Sequence, residues 1–105
     1  MRKLTISSLK NVQLLDVEIS IMQASEDSIS TTLAEEKYLV HPLKKGNIYS
    51  VMITENGQPL MDLICEYQDY SYRENSTTTQ DGLGEVRTTV TVESNTLSFK
   101  VIQEA

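Results

Sequence analysis

The sequence is poor in the residue types that most often carry chemistry. Its 105 residues include one cysteine, one histidine, no tryptophan, four glycines and two prolines. The single cysteine, Cys65, cannot form an intramolecular disulfide and is interpreted as a small buried hydrophobe. The only histidine, His41, stands beside Pro42, and no cysteine pair, His-rich spacing or Gly-x-Ser-x-Gly motif accompanies it. We therefore expect no catalytic site, no metal site and no cofactor.

Positive charge and long apolar runs are also scarce. Nine basic side chains stand against fifteen acidic ones, which gives a formal charge of -6 and a pI of about 4.6. Such a chain repels a phosphate backbone, so no nucleic-acid partner is expected. No apolar run approaches the roughly 20 residues of a membrane helix, and no apolar segment of a signal peptide follows the charged start. The sequence predicts a protein made in the cytoplasm without a signal peptide and without membrane insertion.

Two groups of acidic residues are candidates for a site. Asp62 and Glu66 lie on one face of a predicted strand, and with Asp69 they resemble a carboxylate pair for general acid/base work. The solvent face of a half-buried strand carries such charges by default, and we favour that interpretation. Residues 81–85 contain two acids that could hold calcium, but they lack the dense acidic spacing of a calcium loop and are interpreted as a turn.

Alternation of apolar and polar residues, the period of a β-strand, is abundant. Five segments show it clearly, at residues 15–21, 48–53, 63–67, 86–92 and 97–101. Residues 4–6 and 37–40 are weaker candidates for a sixth and a seventh strand. Turn clusters separate the segments at intervals of about 8 to 12 residues, which is typical of a β-sandwich or barrel. We predict one all-β domain over residues 1–105 with about seven antiparallel strands.

Three polar segments are predicted to lie outside the strands. Residues 23–36 are interpreted as a long loop or crossover, with a short helical turn at residues 33–36 capped by Thr31 or Thr32. Residues 73–80 are polar enough to be an exposed hairpin tip. Residues 93–95 are interpreted as a turn, because Ser and Asn readily bond their own backbone.

The strongest local signal is the corner Asn56-Gly57-Gln58-Pro59, which stands between two alternating apolar runs. Gly57 can adopt the left-handed conformation that such a turn requires, and Pro59 fixes φ at the start of the next strand. Asp81-Gly82 is expected to play the same role before the strand at residues 86–92. Asn56, Gly57, Pro59, Asp81 and Gly82 are therefore predicted to define the turns.

Residues 49–102 resemble the bacterial immunoglobulin-like domains of invasin- and intimin-type adhesins. In that family an Asn-Gly-x-Pro corner precedes an alternating strand that ends in an aromatic residue, then a Thr with Asp-Gly, a Thr/Val strand and a final hairpin. The corresponding pieces here are residues 56–59, residues 63–67, Thr79 with Asp81-Gly82, residues 86–92 and residues 97–101. The chain departs from the pattern at Asp62 and Thr88, and residues 1–45 have no clear match. The resemblance implies an immunoglobulin-like β-sandwich.

A group of aromatic residues indicates a contact surface. Tyr67 belongs to the core by its strand position, whereas Tyr70 and Tyr72 have the opposite parity and lead toward Arg73. Exposed tyrosines beside an arginine make good protein contacts, because they bury much area with little loss of rotamer freedom. Tyrosine is also common in strands that bind nothing. Tyr70, Tyr72 and Arg73 are the candidate protein contact.

These observations favour a non-enzymatic structural or interaction protein whose partner is a protein, such as a capsid or another large assembly. By analogy with immunoglobulin-like modules on phage heads and tails, the most specific expectation is a bacteriophage virion component, such as a capsid auxiliary (decoration) protein at the virion surface. The alternatives are an adhesin-type module of a longer bacterial surface protein and a small ligand carrier on a transthyretin-like sandwich. Self-association is a further expectation, because the strand at residues 86–92 carries little gatekeeping charge.

Overall fold

The described residues fold into six antiparallel β-strands that form one closed sheet. The computed structural model describes residues 1–34, 40 and 42–104. The strands are β1 (Arg2–Ser7), β2 (Gln13–Ala24), β3 (Ser28–Leu33), β4 (Ile48–Glu55), β5 (Gln58–Gln80) and β6 (Val86–Glu104). Their order around the barrel is β1-β2-β3-β6-β5-β4, and β4 pairs with β1 to close it. The prediction of an all-β, antiparallel fold is confirmed.

The period of two explains why a single core fills the barrel. Successive side chains of a strand point to opposite faces, so every second residue points inward. Tyr67 and Phe99 meet within this core, with ring centroids 5.8 Å apart. Burial of these apolar side chains is the main stabilising term of the fold. The most deeply buried residues include Leu4, Ile6, Val51, Ile53, Cys65, Leu97 and Phe99.

The described residues contain six strands where the sequence predicted about seven. The sixth candidate, residues 4–6, lies within β1. The seventh candidate, residues 37–40, lies outside the described residues except for Val40, which packs against the core. His41 also lies outside the described residues. Opposite walls of the closed sheet pack their inner faces on one another, as the two layers of a sandwich do.

The prediction of a loop at residues 23–36 is wrong for its described part. β2 continues to Ala24, and β3 follows after a short turn, with Ile29, Thr31 and Leu33 buried in alternation. Because Thr31 occupies the middle inward position, the segment contains too few apolar residues to show its period. Thr31 and Thr32 are strand residues and Leu33 ends β3, so no helical turn begins there. Glu35 and Glu36 lie outside the described residues.

β5 and β6 continue beyond the barrel as a two-stranded ribbon, called here the arm and formed by residues 74–80 and 86–92. The arm makes the molecule elongated, with extents of 59 × 29 × 26 Å. The tip predicted at residues 73–80 is therefore strand, and the turn lies at residues 81–85. The turn predicted at residues 93–95 is also wrong. β6 runs through it with a β-bulge opposite Arg73 and Glu74, which absorbs the extra residue Glu93.

Two turns fix the hairpins on either side of β5. Asn56 and Gly57 have φ values of 50° and 81°, the signature of a tight hairpin turn, and Pro59 stands opposite Thr54 beside a register shift. In the arm turn, Asp81 Oδ1 accepts hydrogen bonds from the backbone nitrogens of Leu83 and Glu85, at 2.8 and 3.0 Å. The left-handed glycine there is Gly84, with a φ of 87°. This corrects the assignment of that role to Gly82.

Candidate functional site

The β6 strand of the arm presents three valines to solvent. Tyr72 pairs with Asn95, and Glu74 pairs with Val92 beyond the bulge. The face that points into the barrel therefore continues along the arm. There it carries Val86, Val90 and Val92, which are 62%, 54% and 51% exposed. We call these three residues the valine face.

A groove lies at the base of the arm, where the end of β2 approaches β6. Its volume is about 370 Å³, and its lining includes Ile21, Leu33, Val92 and Asn95. Ile21, near the end of β2, is 57% exposed. The groove lies beside Val92, at the barrel end of the valine face, and its lining also includes Thr32, Glu93, Ser94 and Thr96.

The tyrosines of the candidate contact lie together, and the arginine does not. Tyr70 and Tyr72 stack with ring centroids 6.4 Å apart. Tyr72 is half-buried and donates its hydroxyl hydrogen to Glu74 Oε2 at 2.7 Å. Arg73 is exposed and, because side chains alternate along the strand, lies on the other face of the ribbon. Tyr70, Tyr72 and Arg73 therefore do not form one surface.

The parity expected for Tyr70 is wrong because β5 contains a β-bulge. The register shifts between Tyr67 and Asp69, which leaves Gln68 as an extra residue. The bulge turns Tyr70 to the same side as Tyr67, where it packs partly buried against the core. Burial in turn raises the pKa of the Tyr70 hydroxyl. Tyr70 thus packs at the base of the arm and contributes little to its exposed surface.

Asn95 is a structural determinant of the site that the sequence interpretation placed in a turn. It is a buried polar residue of β6, only 5% exposed. Its Oδ1 accepts a hydrogen bond from the Tyr70 hydroxyl, and its Nδ2 donates to the backbone oxygen of Leu33 at 3.4 Å. Asn95 precedes Leu97 and Phe99, which point inward, by the two-residue period of a strand. That spacing is the signal that could have placed its side chain inside.

The acidic candidates lie apart from the arm face. Asp69 Oδ1 is 2.9 Å from Lys45 Nζ. The hydrogen bond from Lys45, aided by the backbone N–H of Tyr70, lowers the pKa of Asp69. Glu66 accepts a hydrogen bond from Gln68, and Asp62 is exposed on β5. Among the residues that the structure describes, no group of three or more His, Cys, Asp or Glu is placed to hold a metal.

Two titratable groups of the core, Cys65 and Tyr67, are held protonated. Burial raises the pKa of the Cys65 thiol to about 11. Burial also raises the pKa of Tyr67, and the nearby charge of Asp69 adds to the effect. A thiol in this state is a packing group, since the thiolate is the reactive form.

Comparison with known proteins finds no relative, because no protein-family model, curated protein or solved structure matches this chain. In the described residues there is no helix with the length and apolar character needed to cross a lipid bilayer. The functional assignment rests on the geometry of the arm and its base.

Proposed function

We propose that the protein is a non-enzymatic structural or interaction protein that binds another protein through the apolar face of its arm. The observation that carries the proposal is the valine face, which projects beyond the barrel and remains largely exposed. A two-stranded ribbon without a third strand or a covering layer is only marginally stable in water. Contiguous exposed apolar surface marks interaction sites in soluble proteins. A partner that covers the valine face would stabilise the arm and bury its apolar side chains.

The most specific form of the proposal is a bacteriophage virion component, such as a capsid auxiliary protein. Its support is the analogy with modules of phage particles, together with a shape that suits attachment to a large assembly. A projecting hairpin reaches across a neighbouring surface and gains contact area without a larger barrel. The immunoglobulin-like resemblance belongs to the same proposal, and an adhesin-type module of a longer surface protein is its alternative.

The chemistry of the arm indicates what the partner surface must offer. Along the valine face the cross-strand neighbours are polar, with Ser76 opposite Val90 and Gln80 opposite Val86. The only acid on this face of β5, Glu74, already accepts a hydrogen bond from Tyr72. The partner should therefore present an apolar strip with a polar rim. A basic surround would suit a protein of net charge -6.

A sedimentation experiment tests the proposal. Purified protein is mixed with virion particles or cleared lysate from its native source, and the fraction that pellets with large particles is measured. The double variant Ile21→Ser/Tyr72→Ser removes apolar contacts at the base of the arm. The control is Ile102→Ser, because Ile102 is 49% exposed and lies at the other end of β6.

The wild type and the control are expected to pellet equally, and the double variant is expected to bind at least about tenfold more weakly. A wild-type protein that stays in the supernatant would contradict the virion form of the proposal. Equal binding by the double variant, with an unchanged thermal melt, would show that the base of the arm is not the contact.

A further inference from the structure

One edge of the arm has no strand beside it in the described part of the chain. β3 pairs with β6 only from Lys100 to Thr96, while β5 occupies the opposite edge of β6 as far as Val86. From Ser94 toward the turn, no described residue pairs with the β3 side of β6, so the backbone N–H and C=O groups on that side have no partner in the described part of the chain. Such an edge is a template for pairing with another strand.

The β-bulge at Glu93 is the one irregularity of this edge, and little in its sequence discourages pairing. Between residues 86 and 94 there is no proline, no glycine and no lysine, and the only charged residues are Arg87 and Glu93. Arg87 is loosely held, since its guanidinium is 3.9 Å from Glu85 and both side chains are largely exposed. The remaining residues are valine, threonine and one serine, and valine and threonine favour strands.

The edge is self-complementary about Val90. Antiparallel pairing with a second copy, centred on Val90, places Val90 opposite its own copy and Arg87 opposite Glu93. The two-fold axis repeats the Arg87–Glu93 pair, so two opposite-charge pairs flank an apolar and threonine centre. Opposite charges and β-branched residues directly across from one another stabilise strand pairs.

The neighbouring registers are less favourable. Centring on Thr89 places Glu85 opposite Glu93, which sets like charges across from one another. Centring on Thr91 leaves Arg87 and Glu93 without opposite charges. Registers centred between two residues set side chains of opposite faces against each other and break the valine face. The sequence of the edge thus selects one register.

The free edge of β5 offers no comparable match. Arg73 and Glu74 are adjacent, so a register that pairs them is centred between them and combines the two faces of the ribbon. A register centred on Ser71 would set Arg73 opposite Asp69, but that carboxylate already binds Lys45. The end of this edge nearest the barrel is also occupied, because Lys45 forms its ion pair with Asp69 there.

We infer that two copies of the protein pair edge to edge through β6 about a two-fold axis at Val90. The result is a four-stranded sheet in the order β5-β6-β6-β5, in which each arm has the third strand that an isolated hairpin lacks. The two valine faces become one continuous apolar surface. The second copy is a further partner, distinct from the protein that is proposed to cover the valine face.

Cysteine cross-linking tests the register. The native Cys65 is fully buried and should not compete. In the Val90→Cys variant, the two new thiols face each other across the axis, where antiparallel partners have Cα atoms about 4.5 to 5.5 Å apart, within disulfide range. In the control Val86→Cys, on the same face of the same strand, the two thiols are about 27 Å apart. We expect disulfide-linked dimers from Val90→Cys alone under mild oxidation.

A charge swap tests the Arg87–Glu93 pairs. Arg87→Glu and Glu93→Arg are each expected to weaken dimerisation at least about tenfold at low salt, measured by analytical ultracentrifugation. The double variant Arg87→Glu/Glu93→Arg should return to within about threefold of the wild type. Arg73→Glu, a charge reversal on β5 at the base of the arm, is the control and should leave the dimer unchanged.

The inference would be overturned by a wild type that stays monomeric at every concentration reached, by equal cross-linking of the two cysteine variants, or by a double variant no tighter than the single ones. The particle-binding test is read out separately, because neither Ile21 nor Tyr72 belongs to β6, and ultracentrifugation of Ile21→Ser/Tyr72→Ser shows whether the dimer persists. A dimer that fails to bind particles would overturn the proposed function alone, and a particle-binding monomer would overturn the dimer alone.

Discussion

Tyr70 donates its hydroxyl hydrogen to Oδ1 of Asn95 at the point where β5 and β6 leave the barrel. Asn95 Nδ2 donates in turn to the backbone oxygen of Leu33, the last residue of β3. One buried amide thus joins both strands of the arm to a third strand of the barrel. The arm is anchored by this network as well as by its own ladder of backbone hydrogen bonds.

Loss of the Asn95 amide is expected to destabilise the protein. Asn95→Ala leaves the Tyr70 hydroxyl and the Leu33 carbonyl without that partner, which should lower the free energy of unfolding by about 2 kcal/mol. Tyr70→Phe should lower it by about 1 kcal/mol. Because the two groups share one hydrogen bond, urea unfolding of both single variants and the double variant should give a coupling energy above about 0.5 kcal/mol. Additive effects would contradict the network.

Removal of the Thr31 hydroxyl is expected to stabilise the protein. Thr31 is fully buried, and its Oγ1 has no hydrogen-bond partner in the described part of the chain. Thr31→Val keeps the shape and removes the desolvated hydroxyl, so the free energy of unfolding should rise by about 1 kcal/mol. Thr32→Val is the matched control, since Thr32 Oγ1 lies 3.3 Å from Thr96 Oγ1. Loss of the Thr32 hydroxyl should leave the stability unchanged or lower it. A higher melting temperature for Thr32→Val, without one for Thr31→Val, would contradict the prediction that Thr31 carries the unpaired hydroxyl.

Two glycine substitutions separate backbone strain from steric contact. A Cβ atom at Gly57 or at Gly82 would meet no heavy atom within 4 Å. Only Gly57 has a left-handed φ, of 81°. Gly57→Ala should therefore lower the free energy of unfolding by about 1 kcal/mol, whereas Gly82→Ala should have little effect. Chemical denaturation of both variants measures the difference, and equal stabilities would contradict the turn geometry.

Alkaline pH is expected to weaken the fold through Cys65. The folded pKa of the thiol is about 11 against an ordinary value of 9.0. Above pH 9 the unfolded chain releases this proton while the folded chain retains it, so stability that is intact below pH 9 falls toward pH 11. The loss should reach about 2 kcal/mol.

The matched variant for this pH dependence is Cys65→Ala. It is less stable at neutral pH because of the cavity, but its stability should fall less steeply between pH 9 and 11. Tyr67 and Tyr70, whose pKa values are also raised, titrate in both proteins and cancel in the comparison. Identical slopes of unfolding free energy against pH would show that the thiol does not contribute.

The sequence predicted the strands correctly where the inward positions, which recur every second residue, are both buried and apolar. β4 and the barrel part of β6 were predictable because their inward residues, such as Val51, Ile53 and Phe99, are apolar. β3 was missed because Thr31 occupies an inward position and carries a hydroxyl. The β5 half of the arm was missed for a different reason: it is held by pairing with β6 and buries almost nothing, so its sequence has no need of an inward apolar stripe. The β6 half, residues 86–92, was predicted as a strand from its alternation.

The local geometry of the candidate contact residues was not predictable from the sequence. Tyr70 and Tyr72 stack on one another, but the bulge at Gln68 reverses the parity on which their exposure was predicted. The bulge at Glu93 likewise keeps Asn95 inside a strand where local sequence favours a turn. A bulge depends on how the partner strand aligns, and that alignment is set by the whole sheet.

The closure of the barrel sets the order in which the chain can fold. β1 is held on one side by β4, through partners as distant in sequence as Arg2 and Glu55, and β3 finds β6 only after most of the chain is available. Such distant pairings carry a large entropic barrier, so folding is expected on a timescale on the order of milliseconds to seconds. β5 and β6 are joined by one short turn, so they can pair early in folding. The hairpin that later becomes the arm is then a template on which the rest of the barrel assembles.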